Sequence, residues 1–203
     1  MVNKIVFVAF LMLACAVDLY SCIPVSRNDP VIVTRAQWGA QPARGFTNLN
    51  TPVPLVVIHH SSVPGACFNQ NACSQAMRSM QNTHQNVNGW VDIGYNFAVG
   101  SDGLVYEGRG WNRVGAHAAP HNSNSIGIVL IGHWVSATPP ALQLQTTQRL
   151  IALGVRLGFI RPQYSLIGHR QVSATECPGQ ALFNQISRWP NFTPNFQFEE
   201  NDV

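Results

Sequence analysis

Apolar residues gather in short runs at 55–58 (LVVI), 95–99 (YNFAV), 104–107 (LVYE), 126–131 (IGIVLI) and 164–167 (YSLI). Runs of this length, bounded by polar and turn-forming residues, predict strands, and the most continuous of them predict strands buried on both faces. Between 95–99 and 104–107 stands Ser101-Asp102-Gly103, an Asp-Gly turn signal that predicts a hairpin. Elsewhere the apolar period lengthens. Met77 and Met80 recur at helical spacing behind Ser74, a candidate cap, and the pattern runs past His84 to Val87 before Asn88-Gly89 breaks it. After Pro139-Pro140, Leu142, Leu150, Leu153 and Leu157 mark one side of a long helix over 141–157 that Gly158 ends, and 180–188 reads as a last helix. An extended piece at 31–34 and a glycine-dotted polar connection over 39–54 precede the first long strand. Strands alternating with helices, with no internal repeat, predict an α/β domain around a largely buried sheet.

The chain has 203 residues, of which 46% are hydrophobic and 10% charged, enough apolar material for one well-buried domain and too little length for two. Its formal charge of +3 is mild, and no Lys/Arg cluster with interleaved aromatics supports a nucleic-acid partner. Residues 1–21 read as a secretory signal: Lys4 precedes an apolar run over 5–17, too short to span a bilayer, and Ala14-Cys15-Ala16 has the small-x-small form of a cleavage site. No later segment is apolar for long enough to cross a membrane, so the expectation is a secreted, extracellular product without a membrane partner. The domain is expected over 22–190. The segment 191–203 reads as a mobile polar tail, acidic at its end, with a glycosylation sequon at Asn191 weakened by Pro194.

Secretion changes what the cysteines mean. In an oxidising compartment Cys67 and Cys73, which bracket a short polar loop, are expected to pair. Cys15 leaves with the signal, so Cys22 and Cys177 remain; they either pair with each other or leave Cys177 free as a thiolate. The second alternative matters because His169 and Cys177 flank one loop, GHRQVSATECPG over 168–179, just past the 164–167 run. Imidazole nitrogen and thiolate sulfur are zinc ligands, and a catalytic zinc keeps three protein ligands and one open position. The best third ligand lies where the 55–58 strand runs into His59-His60, since open α/β sheets deliver functional residues at strand ends. Spacing does not decide which histidine serves. Because side chains alternate along a strand, the other one points away.

Ala36-Gln37-Trp38-Gly39, Val57-Ile58-His59-His60-Ser61, Asp92-Ile93-Gly94-Tyr95-Asn96-Phe97, Val105-Tyr106-Glu107-Gly108-Arg109-Gly110-Trp111, Gly115-Ala116-His117, Ser125-Ile126-Gly127-Ile128 and the 168–179 loop together resemble the short animal peptidoglycan recognition proteins, relatives of the type-2 N-acetylmuramoyl-L-alanine amidases. The resemblance implies a single domain with a central mixed, mostly parallel β-sheet flanked by three main helices. It implies Zn2+ held by His59, His169 and Cys177, with Tyr95 and Thr175 as catalytic residues and a Cys67–Cys73 disulfide. It further implies a groove for peptidoglycan or its muropeptides lined by His60, His84, Gly89, Trp90, Arg109, His117 and Asn122. Gly89-Trp90 resembles members that accept diaminopimelate, whose extra carboxylate Arg109 can pair with. The plainer alternatives are a core Trp90, an exposed strand cation at Arg109 and a half-buried strand tyrosine at Tyr95. Non-catalytic members lose the cysteine or a histidine of the ligand set, and this chain keeps all three.

Overall fold

The computed structural model describes residues 26–197; the expected signal segment, Cys22 and the acidic end of the chain lie outside that range. Six strands form one sheet: β1 (Ile32–Val33), β2 (Val53–His60), β3 (Phe97–Val99), β4 (Val105–Glu107), β5 (Ser125–Leu130) and β6 (Ile160–Gly168), in the order β1-β4-β3-β5-β2-β6. Only the β3–β4 hairpin is antiparallel; the other neighbours run parallel. Parallel strands need both faces covered, and the helices supply the cover. α1 (Arg35–Trp38) and α2 (Gln70–Asn82) pack Trp38, Ala76, Met77 and Met80 on one face with Val33, Ala98, Tyr106 and Val129. α3 (Ala141–Arg156) and α4 (Gln180–Ile186) pack Leu150, Ile151, Leu182 and Ile186 on the other with Val56, Ile58, Ile126 and Ile128. This is the expected α/β layering, with α2, α3 and α4 as its main helices. Among the described residues no helix is long and apolar enough to cross a membrane.

Central position explains why β2 and β5 read as unbroken apolar runs: every residue of β5 is buried, as is all of β2 but Pro54. β2 alternates nevertheless. Leu55 and Val57 belong to one cluster and Val56 and Ile58 to the opposite one, so His59 and His60 at its end leave on opposite faces.

Three local expectations differ from the structure, and one helical turn was not expected. α2 begins before Ser74, because the Asn69 side chain accepts the Ala72 N–H and caps the helix there, while Ser74 is buried inside it. Arg35–Trp38 closes into a helical turn, with Thr34 and Gln37 bonding each other's backbone N–H in a capping box. Tyr95 stands ahead of β3, since its carbonyl accepts the Arg109 N–H while the Asn96 N–H goes to Gly127. The segment after Trp189 is no free tail as far as Gln197. Phe192 bridges to Leu166 on β6 and its ring meets Phe183, while the Gln171 amide donates to the Thr193 and Pro194 carbonyls. Its apolar Phe192 and Phe196 outweigh its polar composition.

Cys67 and Cys73 form the expected disulfide, with Cα atoms 5.1 Å apart, tying the loop after β2 to the first turn of α2. Its removal (Cys67→Ala with Cys73→Ala) is expected to lower stability by about 2 kcal/mol, the chain-entropy value for so short a loop. The check is urea unfolding of both proteins; coincident midpoints would show that the bond constrains nothing.

Candidate active site

The parallel register of β2 and β6 builds the centre. Ile58 stands opposite Gly168, so the next residues, His59 on β2 and His169 just past the end of β6, emerge side by side with ring centroids 4.5 Å apart, although 110 positions separate them in sequence. The chain then turns through 169–171 and loops back. The Arg170 N–H donates to the Cys177 carbonyl at 2.8 Å, and Thr175 Oγ1 accepts the Cys177 N–H at 3.2 Å. These bonds return a free thiol to the strand ends: Cys177 Sγ lies 3.7 Å from His59 Nδ1, and ligand atoms of His59, His169 and Cys177 all fall within 4.8 Å of one another.

Zinc–sulfur and zinc–nitrogen bonds of about 2.3 and 2.0 Å at a tetrahedral angle place the two donors about 3.5 Å apart. The sulfur–nitrogen distance between Cys177 and His59 is 3.7 Å, so this pair has the spacing, and the whole set the chemistry, of a tetrahedral zinc site. Its electrostatics also suit a cation. Burial holds His59 far below the ordinary imidazole pKa and lowers His169 as well, leaving both as neutral donors. Burial pushes the Cys177 thiol up to about 11, against the pull of the His60 N–H bond and Arg170. A metal ion would favour the thiolate.

Two loops enclose this centre. On one side Trp134 donates its backbone N–H to His60 Nδ1 at 3.2 Å, and His133 stacks on the His60 ring at 5.7 Å. His60 is therefore packed against the loop after β5, while its own N–H donates to Cys177 Sγ at 3.4 Å. On the other side the chain leaves α2 through a π-helical turn over Thr83–Val87, the kind of irregularity often found at functional sites. His84 accepts the Gly94 N–H at 3.0 Å, stacks on Trp90 at 4.8 Å and meets Tyr95 edge-on at 5.7 Å. Gly89 makes the turn at φ 71, and Trp90 remains 36% exposed, so it is a wall residue and not core. Tyr95 spans the gap, its ring 5.3 Å from His59.

Arg109 is tethered, not an exposed strand cation: Nε, Nη1 and Nη2 donate to the Ile93, Val114 and Asp92 carbonyls at 2.6, 2.7 and 3.4 Å, which leaves the remaining hydrogens of its fork for a ligand. Behind the wall, Asp92 is 2% exposed and pairs with Arg35 at 3.0 Å, an anchor that sequence reading missed for want of any local signal. His133 and Trp134 were missed too, though a His-Trp pair directly after a buried strand could have drawn attention. Asn122 spends its amide oxygen on the His117 and Ala118 N–H groups, at 2.8 and 2.9 Å. His117 Nδ1 lies 3.1 Å from His59 Nε2, and its own Nε2 is buried without a partner.

The profile of the N-acetylmuramoyl-L-alanine amidase family matches residues 49–180, a span that contains the three converging side chains. Over 162 residues the chain is 49% identical to peptidoglycan-recognition protein LB of Drosophila melanogaster, covering 80% of this chain and 70% of that one. The chain belongs to this family of amidases and peptidoglycan recognition proteins. It is 47% identical over 167 residues to a human N-acetylmuramoyl-L-alanine amidase, covering 81% of this chain but only 29% of that longer protein. A solved peptidoglycan recognition protein LE, in complex with tracheal cytotoxin, a monomeric diaminopimelic acid-type peptidoglycan, superposes with a TM-score of 0.79 at 40% identity, over 80% of this chain and 96% of that one.

The histidines give this amidase-family domain a defined acid response. Burial lowers His84 to about 4, with the nearby Arg109 charge adding to the shift. Folded-state pKa lies below the unfolded value, so the unfolded chain binds the extra proton first as pH falls. Stability is intact above about 6.5 and declines as pH drops toward 4. His60, also lowered to about 4 by burial, acts with the same sign. Urea midpoints at pH 7, 5.5 and 4, taken in chelator, should decline in that order, and less steeply for His84→Gln; an unchanged slope in the variant would remove His84 from the account.

Proposed function

We propose that the protein is a secreted, zinc-dependent N-acetylmuramoyl-L-alanine amidase that hydrolyses the lactyl amide between muramic acid and L-alanine of peptidoglycan, preferring the diaminopimelate type, in innate immunity. The observation that carries this reading is the complete set of His59, His169 and Cys177, with ligand atoms within 4.8 Å, beside Tyr95. When bound, zinc supplies a water activated near neutral pH and a Lewis acid for the scissile carbonyl.

The protein's own groups do the rest. Burial raises the Tyr95 phenol above its ordinary range, so it stays protonated at neutral pH and donates a hydrogen bond to the oxyanion that develops on the carbonyl. Thr175 uses an oxygen lone pair on the Cys177 N–H, which fixes the hydroxyl at the backbone of residue 177 while its own proton remains available to the reacting groups. The His84–Trp90 stack offers a flat wall to the muramyl peptide. The free part of the Arg109 fork pairs with the diaminopimelate carboxylate that lysine lacks. Support for that preference comes from the relative bound to a diaminopimelic acid-type muropeptide. Support for secretion comes from the apolar run at 5–17 with its small-x-small end and from the disulfide.

The test is to incubate the protein with defined diaminopimelate-type and lysine-type muropeptides, with and without a chelator, and weigh the products. Release of the peptide from the muramyl glycan, faster with diaminopimelate and absent in chelator, is expected. Intact muropeptide in every tube, with binding still measurable, would instead make the protein a recognition module that signals through a partner.

A further inference from the structure

We propose that His117 is a positioning residue for the metal ligand His59, accepting its Nε2–H; this rests on the zinc reading above. His59 turns Nδ1 toward Cys177 Sγ, at 3.7 Å. A nitrogen that binds metal carries no proton, so in the neutral ring the proton sits on Nε2. That nitrogen is aimed at His117 Nδ1, 3.1 Å away, with the two rings edge to face at 80°. His117 Nδ1 is then the acceptor, and the proton of His117 sits on its own Nε2. An acceptor behind a metal-binding histidine fixes both its tautomer and the plane of its ring.

The surroundings seat this ring closely. His117 is 8% exposed, and its Nε2 is buried. Its backbone is clamped by Asn122 Oδ1, which accepts the N–H groups of His117 and Ala118. Two glycines make room: a Cβ on Gly127 would lie 2.3 Å, and one on Gly115 2.4 Å, from the imidazole Cδ2. Gly127 belongs to β5, which pairs with β2, so a strand position stripped of its side chain lets His117 lie over the sheet beside His59. Asn122, expected in the groove, acts one step further back by the same logic.

The experiment is zinc affinity by chelator competition, with the unfolding midpoint of each chelated protein as a control on folding. His117→Phe keeps the ring and removes the acceptor, and is expected to bind zinc about 10- to 100-fold more weakly than wild type. His117→Asn, which sets an amide oxygen near the place of Nδ1, is expected to recover most of that loss. Nitrogen–proton NMR correlation on the zinc-loaded wild type reads the arrangement without any substitution, and should show His117 as the Nε2–H tautomer. Wild-type affinity in a folded His117→Phe, or an Nδ1–H tautomer at His117, overturns the assignment while leaving the zinc site in place. A wild type that takes up no zinc defeats the zinc reading itself, and this inference with it.

Discussion

Cys177→Ser is expected to abolish hydrolysis while leaving the fold and much of the muropeptide binding in place. Serine is close to cysteine in size and accepts the same backbone arrangement, in which Arg170 and Thr175 hold residue 177 by its carbonyl and N–H. The side-chain neighbours of Sγ are likewise mild: the His60 N–H at 3.4 Å suits oxygen as well as sulfur. What the substitution removes is the thiolate. A serine hydroxyl does not ionise near neutral pH, so the donor set falls to two neutral imidazoles, His59 and His169, and the charge that retains a divalent cation is gone. The loss in turnover should exceed the roughly 10²- to 10³-fold that follows removal of a single oxyanion donor, because metal activation fails as a whole. Metal content and mass-resolved hydrolysis check it together. A serine variant that still cleaves would remove the sulfur from the ligand set, and one that neither cleaves nor binds would point to a wider collapse.

What could be read from the sequence, and what could not, divides along physical lines. The strand cores at 55–58, 126–131 and 164–167 were visible because a sheet covered on both faces demands continuous apolar runs, and the structure extends each by one to four residues at an end. The Ser101-Asp102-Gly103 turn announced the antiparallel pairing of β3 with β4. The meeting of His59 with His169 is a matter of register, Ile58 against Gly168. Register between strands more than a hundred residues apart leaves no periodic trace, so only the family resemblance implied it. Local hydrogen-bond competition hid smaller things. Asn69 caps α2 ahead of Ser74, β3 begins only at Phe97, and the docking of Phe192 onto β6 is invisible in a segment whose composition is polar. A matched motif marked His117 as a groove residue, while the glycines at 115 and 127 that seat its ring closely show their place only in three dimensions.

Gly179→Ala is the second large effect, and it tests whether the loop after β5 holds the thiol in place. Gly179 sits at φ 88, where an L side chain is strained, and a Cβ there would lie 2.2 Å from the Trp134 carbonyl oxygen and 2.7 Å from the Val135 nitrogen. Those are backbone atoms, so no side-chain rotation relieves the overlap. Either the 132–135 loop or the 177–181 segment must shift. The two are stitched together where α4 begins, the Ala181 N–H donating to Val135 and the Leu182 N–H to Trp134. Trp134 also donates its N–H to His60, so movement of one side disturbs both the seat of Cys177 and the end of β2. Strain at a forced left-handed position together with overpacking predicts a loss of stability of about 2–4 kcal/mol. Zinc affinity should fall with it, because Cys177 lies only two residues away and reaches His59 across a gap of 3.7 Å. Urea unfolding and chelator competition on the same preparation measure the two consequences. Stability lost with zinc affinity unchanged would show that the thiol is placed by Arg170 and Thr175 alone; both unchanged would show that the two loops separate freely and that their close approach has no role in shaping the site.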